Sequence, residues 1–80
     1  MKFKVIVTYK PGILDPQGKT IHHSIEMLGY KEVKDVRSGK YFELEIEGND
    51  KAKAELIIKD ISAKLLANPN IQTFKIETDK

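Results

Sequence analysis

Val33-Lys34-Asp35-Val36-Arg37-Ser38-Gly39-Lys40-Tyr41-Phe42-Glu43-Leu44-Glu45-Ile46-Glu47 sets the architecture, because it reads as two strands back to back. The second half is plain. Phe42, Leu44 and Ile46 point one way and Tyr41, Glu43, Glu45 and Glu47 the other, the period-two pattern of a half-buried strand. Residues 33–38 read as a shorter strand closed by Ser38-Gly39. Together they make a hairpin with Arg37 and Lys40 as cations near its tip.

Upstream, Phe3, Val5, Val7 and Tyr9 alternate with Lys4, Ile6, Thr8 and Lys10, which predicts a first strand. Pro11-Gly12 ends it, proline presetting φ and glycine accepting a positive φ as in a type II turn. Asp15-Pro16 opens a helix. Proline fits the first helical position and holds the residue before it extended, as an N-cap requires. Ile21, Ile25 and Leu28 follow at helical spacing and Gly29 stands where a C-terminal cap belongs, so the helix covers residues 16–28. Downstream, Gly48-Asn49-Asp50 gives a turn and a second cap. Ala54, Ile57, Ile58, Ile61 and Leu65 then form a wide apolar stripe reaching about Ala67. Asn68-Pro69-Asn70 stops that helix, and Phe74 and Ile76 mark a last strand over residues 71–78.

The order β-α-β-β-α-β predicts the α+β class: a ferredoxin-like four-stranded antiparallel sheet with two helices on one face. Right-handed crossovers interleave to give strand order 4-1-3-2, which makes the first and third strands central neighbours. On the face away from the helices, Lys4 and Thr8 then stand beside Glu43, Glu45 and Glu47. No repeat, low-complexity segment or linker divides the chain, so residues 1–80 are expected to form a single domain.

Eighty residues, 40% of them apolar, supply one thin core. There is no cysteine, hence neither a disulfide nor a thiolate metal site to support it. Oligomerisation is the remedy left to a core this small. A homodimer or a dimer of dimers is therefore expected, through sheet edges and the open sheet face where Ile6 and Tyr41 offer apolar contact. Fourteen basic and 12 acidic residues, both spread along the chain, give a net charge of +2. That is an ordinary surface rather than the basic stripe nucleic acid demands. No run reaches the roughly 18 apolar residues of a membrane span. Met1-Lys2-Phe3-Lys4 lacks the apolar block of a signal peptide. The expectation is a cytoplasmic protein with no nucleic-acid or membrane partner.

Groups that carry chemistry do not gather. His22 and His23 are adjacent, and neighbouring helix positions point about 100° apart, so they cannot converge on one ion without a third element. Ser24, Ser38 and Ser62 all lie outside a Gly-x-Ser-x-Gly elbow. Glu43, Glu45 and Glu47 sit on an open face with no cleft to perturb them. Neither Gly-x-x-x-x-Gly-Lys-Ser/Thr nor Gly-x-Gly-x-x-Gly occurs. Catalytic, cofactor-binding and metal-binding residues are all expected to be absent from this chain. RNA recognition is disfavoured, because Tyr41 stands among three glutamates that repel phosphate. A small-molecule regulatory module of the ACT type shares the topology and is the alternative reading.

One segment exceeds what folding alone asks for: Lys10-Pro11-Gly12-Ile13-Leu14-Asp15-Pro16-Gln17-Gly18. Capping explains Pro11, Gly12, Asp15 and Pro16. It leaves Gly18, a glycine in the first helical turn that costs about 1 kcal/mol relative to alanine. A missing side chain lets another backbone or subunit come close, and leucine at this position is expected to be tolerated by the lone chain. Arg37-Ser38-Gly39-Lys40 is a second polar, glycine-containing tip.

On these stretches the chain resembles the PurS family, the small subunit of the three-part phosphoribosylformylglycinamidine synthase. Lys10-Pro11-Gly12, Leu14-Asp15-Pro16-Gln17-Gly18, Leu28-Gly29-Tyr30, residues 33–39 with Lys40-Tyr41, and Leu65-Leu66-Ala67-Asn68-Pro69 carry the resemblance. It implies a role in purine biosynthesis, where formylglycinamide ribonucleotide, glutamine and ATP give formylglycinamidine ribonucleotide. It implies a non-catalytic subunit that bridges a glutaminase subunit and a large ATP-dependent synthetase and assists ammonia transfer. ATP and magnesium would be used by the synthetase partner, with no cofactor in this subunit. Lys10, Gly12, Asp15, Gln17, Gly18, Arg37, Gly39 and Lys40 become the candidate partner-contact residues.

Overall fold

Phe3, Val5 and Val7 are fully buried, and the strand that carries them, β1 (Lys2–Tyr9), takes the middle of the sheet. The structure, a computed structural model, describes residues 1–79. After β1 come α1 (Pro16–Met27), β2 (Gly39–Glu45) and α2 (Lys51–Ile61), then a five-residue π-helical turn, Ser62–Leu66, and β3 (Gln72–Asp79). Both outer strands run antiparallel to β1. Val5 lies between Phe42 and Ile76, and Phe3 and Val7 stand opposite Leu44 and Phe74. Residues directly opposite share a face, so these side chains make one apolar surface. α2 covers it with Ala54 and Ile58, two turns of a single helical stripe, and Ala67 closes the core beyond the π-helical turn.

The other face is polar and open. Lys4 stands between Glu43 and Glu77, as the alternation anticipated for Lys4 and Glu43. Ile6 lies between Tyr41 and Lys75, and Thr8 between Gly39 and Thr73, with the two threonine hydroxyls 3.4 Å apart. The caps form where the sequence places them. Asp15 caps α1, and the Asp50 carboxylate accepts the Lys53 amide at 3.1 Å. Gly29 has φ +97°, the left-handed geometry that ends a helix. α1 stops at Met27, with Leu28 as its cap, and β2 begins at Gly39, two residues before the alternation starts at Tyr41.

The ferredoxin-like four-stranded sheet does not form. The sheet has three strands in the order β2-β1-β3, which is the anticipated 4-1-3-2 with its second strand missing. Residues 33–38 make no strand. Their backbone groups are engaged elsewhere: the Ser38 amide on Asp15, the Val36 amide on the Asp35 side chain, and the Val33 carbonyl on His22. Val33 and Val36 are also three residues apart, so the stretch lacks the alternation that an edge strand needs. The hairpin through Ser38-Gly39 is lost with it. Nor do both helices cover the sheet. α2 does, whereas α1 stands outside the core cluster, with Gly18 its one buried residue and Leu28 beyond it 74% exposed.

The result is extended, with dimensions of 50 × 27 × 14 Å and a radius of gyration of 16.0 Å. A compact chain of this length has a radius of about 12 Å. No helix among the described residues is long and apolar enough to cross a membrane.

Candidate partner-contact site

The β1–α1 connection begins at Lys10, whose amide donates to the Ile71 carbonyl at 2.9 Å and whose carbonyl accepts from Ile13 at 3.1 Å. Gly12 provides the positive φ, +82°, that turns the chain there, and a side chain would meet nothing around it. The chain then reaches Asp15, which is only 2% exposed. Its Oδ1 accepts the Gly18 amide at 2.9 Å and the Ser38 hydroxyl at 2.7 Å, and its Oδ2 accepts the Ser38 amide at 2.5 Å. These donors hold the carboxyl below its ordinary value of 3.8, the Ser38 amide contributing most, then the Gly18 amide and the Ser38 hydroxyl, with Arg37 adding a smaller pull against the desolvation that raises it.

Gly18 is buried against residue 36. A Cβ there would collide with the Val36 carbonyl oxygen and would lie 2.7 Å from Asp15 Oδ2. The expectation that leucine is tolerated is therefore overturned. The close neighbour that the glycine admits is this chain's own backbone. One turn further along the same helix face, His22 Nε2 donates to the Val33 carbonyl at 2.7 Å, so residues 33–38 run along α1 as a strap. Arg37 points outward from the strap and its Nη1 reaches the Ile13 carbonyl at 3.5 Å.

Between strap and loop lies an open cleft of about 330 Å³, lined by Ile13, Leu14, Lys19, Asp35, Val36 and Arg37 together with Gly12 and Asp15. Of the residues singled out in the sequence, the structure gathers Gly12, Asp15 and Arg37 at this cleft and puts Gly18 just behind it. Gln17 is exposed on the first turn of α1. Gly39 and Lys40 belong to β2, opposite Thr8 and Val7, and a Cβ at Gly39 would lie 2.5 Å from the Val7 carbonyl oxygen. Lys19, Asp35 and the strap role of Ser38 were not legible, since no local motif marks a residue whose partner comes from another element. His23 is exposed, and no group of three or more His, Cys, Asp or Glu able to hold a metal occurs among the described residues. The cleft offers two cations, two carboxylates (Asp15, already engaged, and Asp35) and an apolar wall. It suits contact with another protein's surface and contains no nucleophile beside a base.

Comparison with known proteins gives a consistent answer. The family described as PurS, phosphoribosylformylglycinamidine (FGAM) synthase, matches residues 2–80. The phosphoribosylformylglycinamidine synthase subunit PurS of Bacillus subtilis is 42% identical over 79 residues, covering 99% of this chain and 93% of its own. The solved structure of B. subtilis PurS superimposes with a TM-score of 0.88 over 99% of this chain and 98% of that one, at 42% identity. A chain in the structure of PurLQS from Thermotoga maritima matches with a TM-score of 0.85 and 34% identity, over 95% of this chain and 93% of that one.

Proposed function

Because the chain belongs to the PurS family of phosphoribosylformylglycinamidine (FGAM) synthase, we propose that it bridges the glutaminase subunit and the large ATP-dependent synthetase of that enzyme and assists the passage of ammonia between them. It is a subunit of FGAM synthase, a ligase of purine biosynthesis, and is not catalytic on its own. Residues 1–80 work as one domain in the cytoplasm. ATP and magnesium are used by the synthetase partner. The likeness to a chain of PurLQS over 95% of the length is the observation that carries this reading.

The contact surface comprises Lys10, Gly12, Gln17, Arg37, Gly39 and Lys40, joined by Lys19 at the cleft, with Asp15 and Gly18 acting from beneath it. Self-association completes the assembly as a homodimer or a dimer of dimers. Its support is an area argument. The chain exposes 6139 Å², about 1,200 Å² more than a compact monomer of its mass. A standard interface removes about 800 Å² from each partner.

Reconstitution tests the bridging role. The purified chain should turn over neither glutamine nor ATP with magnesium above a buffer control. Added to the glutaminase and synthetase, it should raise glutamine-dependent product formation while changing the ammonium-dependent rate far less, since free ammonia needs no docked glutaminase. An equal rise with both nitrogen sources would contradict bridging.

A further inference from the structure

We propose that Asp15 is the positioning residue of this contact surface, a latch whose two carboxylate oxygens lock the strap of residues 33–38 onto the first turn of α1 and thereby fix where Arg37 and the cleft stand. The inference rests on the reading of the cleft as a partner contact and adds how the cleft keeps its shape.

An N-cap needs one oxygen and little burial. Asp15 uses both of its oxygens and is almost wholly enclosed. Oδ1 serves the helix through the Gly18 amide, while Oδ2 serves the strap through the Ser38 amide, 23 residues away along the chain. The Ser38 hydroxyl adds a second strap contact to Oδ1. Hydrogen bonds to an ionised acceptor are the strong kind, and these are sheltered from water. The remaining strap contacts follow the same line. Gly18 leaves room for the Val36 carbonyl, and His22 takes the Val33 carbonyl one helical turn later. This order, 38 at 15, 36 at 18 and 33 at 22, lays the strap antiparallel to α1.

The arrangement matters because little else holds α1. The helix stands outside the core cluster, so the loop at Lys10–Ile13, the strap and the latch determine how it sits. Arg37 is flanked by the latched Ser38 and the buttressed Val36. Its guanidinium makes no ion pair among the described residues, and its place at the cleft, within reach of the Ile13 carbonyl, is set by those neighbours. Loosening Asp15 therefore moves Arg37 without touching it.

Asp15→Asn separates the two halves of the latch. Asparagine caps a helix as well as aspartate does, so the Gly18 contact survives. Its amide group, however, then confronts the Ser38 amide, donor against donor. Native-state hydrogen exchange on the purified chain should show the Ser38 amide exchanging roughly ten- to a hundredfold faster, the factor that such a bond is worth, with α1 amides little changed. Ser38→Ala, which removes only the hydroxyl contact, should give a smaller effect and protects the test if the asparagine variant folds poorly. In the reconstituted complex, both variants should raise the amount of small chain needed for half-maximal glutamine-dependent rate, counted as folded protein, while the rate at saturation stays near wild type. Unchanged Ser38 exchange in Asp15→Asn would overturn the latch. Faster exchange with normal assembly, while Arg37→Ala assembles poorly, would overturn the positioning role but leave the contact surface standing. Normal assembly of Arg37→Ala as well would remove the contact reading and the proposal with it.

Discussion

Ser62 stands where the helical stripe of Ala54 and Ile58 continues, fully buried at the start of the π-helical turn, and its hydroxyl has no hydrogen-bond partner among the described residues. A buried hydroxyl without a partner carries a desolvation penalty of about 1–3 kcal/mol. Alanine keeps the Cβ packing and removes the polar atom, so the void it leaves is about one oxygen in size. Ser62→Ala is therefore expected to stabilise the fold, raising the free energy of unfolding by about 1 kcal/mol. Urea unfolding of the two proteins, fitted with a common slope, checks this, and a lower midpoint for the alanine variant contradicts the account. Gly18 and Asp15 carry the opposite lesson. Each looks like a local helix device, and each is occupied by a contact from a segment about 20 residues further along.

α1 was legible as a helix, and its place was not. Asp15, Pro16 and the spacing of Ile21, Ile25 and Leu28 fix its start and its apolar stripe, but periodicity cannot say which body that stripe meets. The three sheet strands were legible for a related reason, since strict alternation at Phe3-Val5-Val7 and Phe42-Leu44 leaves one burial solution. Residues 33–38 do not make the strand expected of them, since Val33 and Val36 stand three apart and supply no alternation. The candidate site was half legible. Arg37, Gly12 and Asp15 stand out as polar or glycine positions in loops, whereas the 23-residue reach from Asp15 to Ser38 leaves no trace in spacing. Ile21 and Leu28 are 40% and 74% exposed in the lone chain, so the protection of α1 should depend on association. At nanomolar concentration its amides are expected to exchange far faster than those of β1, and at high micromolar concentration the gap should narrow. Protection that stays constant while light scattering reports a change from monomer to dimer would put the interface elsewhere.

At the scale of the whole molecule, a three-stranded sheet has two bare edges. The outer sides of β2 and β3 present backbone donors and acceptors with no strand against them among the described residues. Such an edge is a template on which any extended chain can polymerise, and charge on the rim is the usual protection. Here the charge on the open face of β3 is that of Lys75 and Glu77, 3.5 Å apart, and Lys75 ends the row Tyr41, Ile6, Lys75 across that face. Lys75→Ile makes that row apolar from rim to rim. Because the position is exposed, its melting temperature should move little, by less than about 0.5 kcal/mol of stability. Its colloidal behaviour should change greatly: on prolonged incubation at high concentration the variant should scatter light and bind thioflavin while wild type stays clear. A variant that remains clear would mean that the rim is sealed by something other than its charge. The fourth strand that this sequence declines to make thus leaves a lasting chemical debt, and the charge of Lys75 on β3 is expected to be what keeps the folded protein from becoming the seed of a fibre.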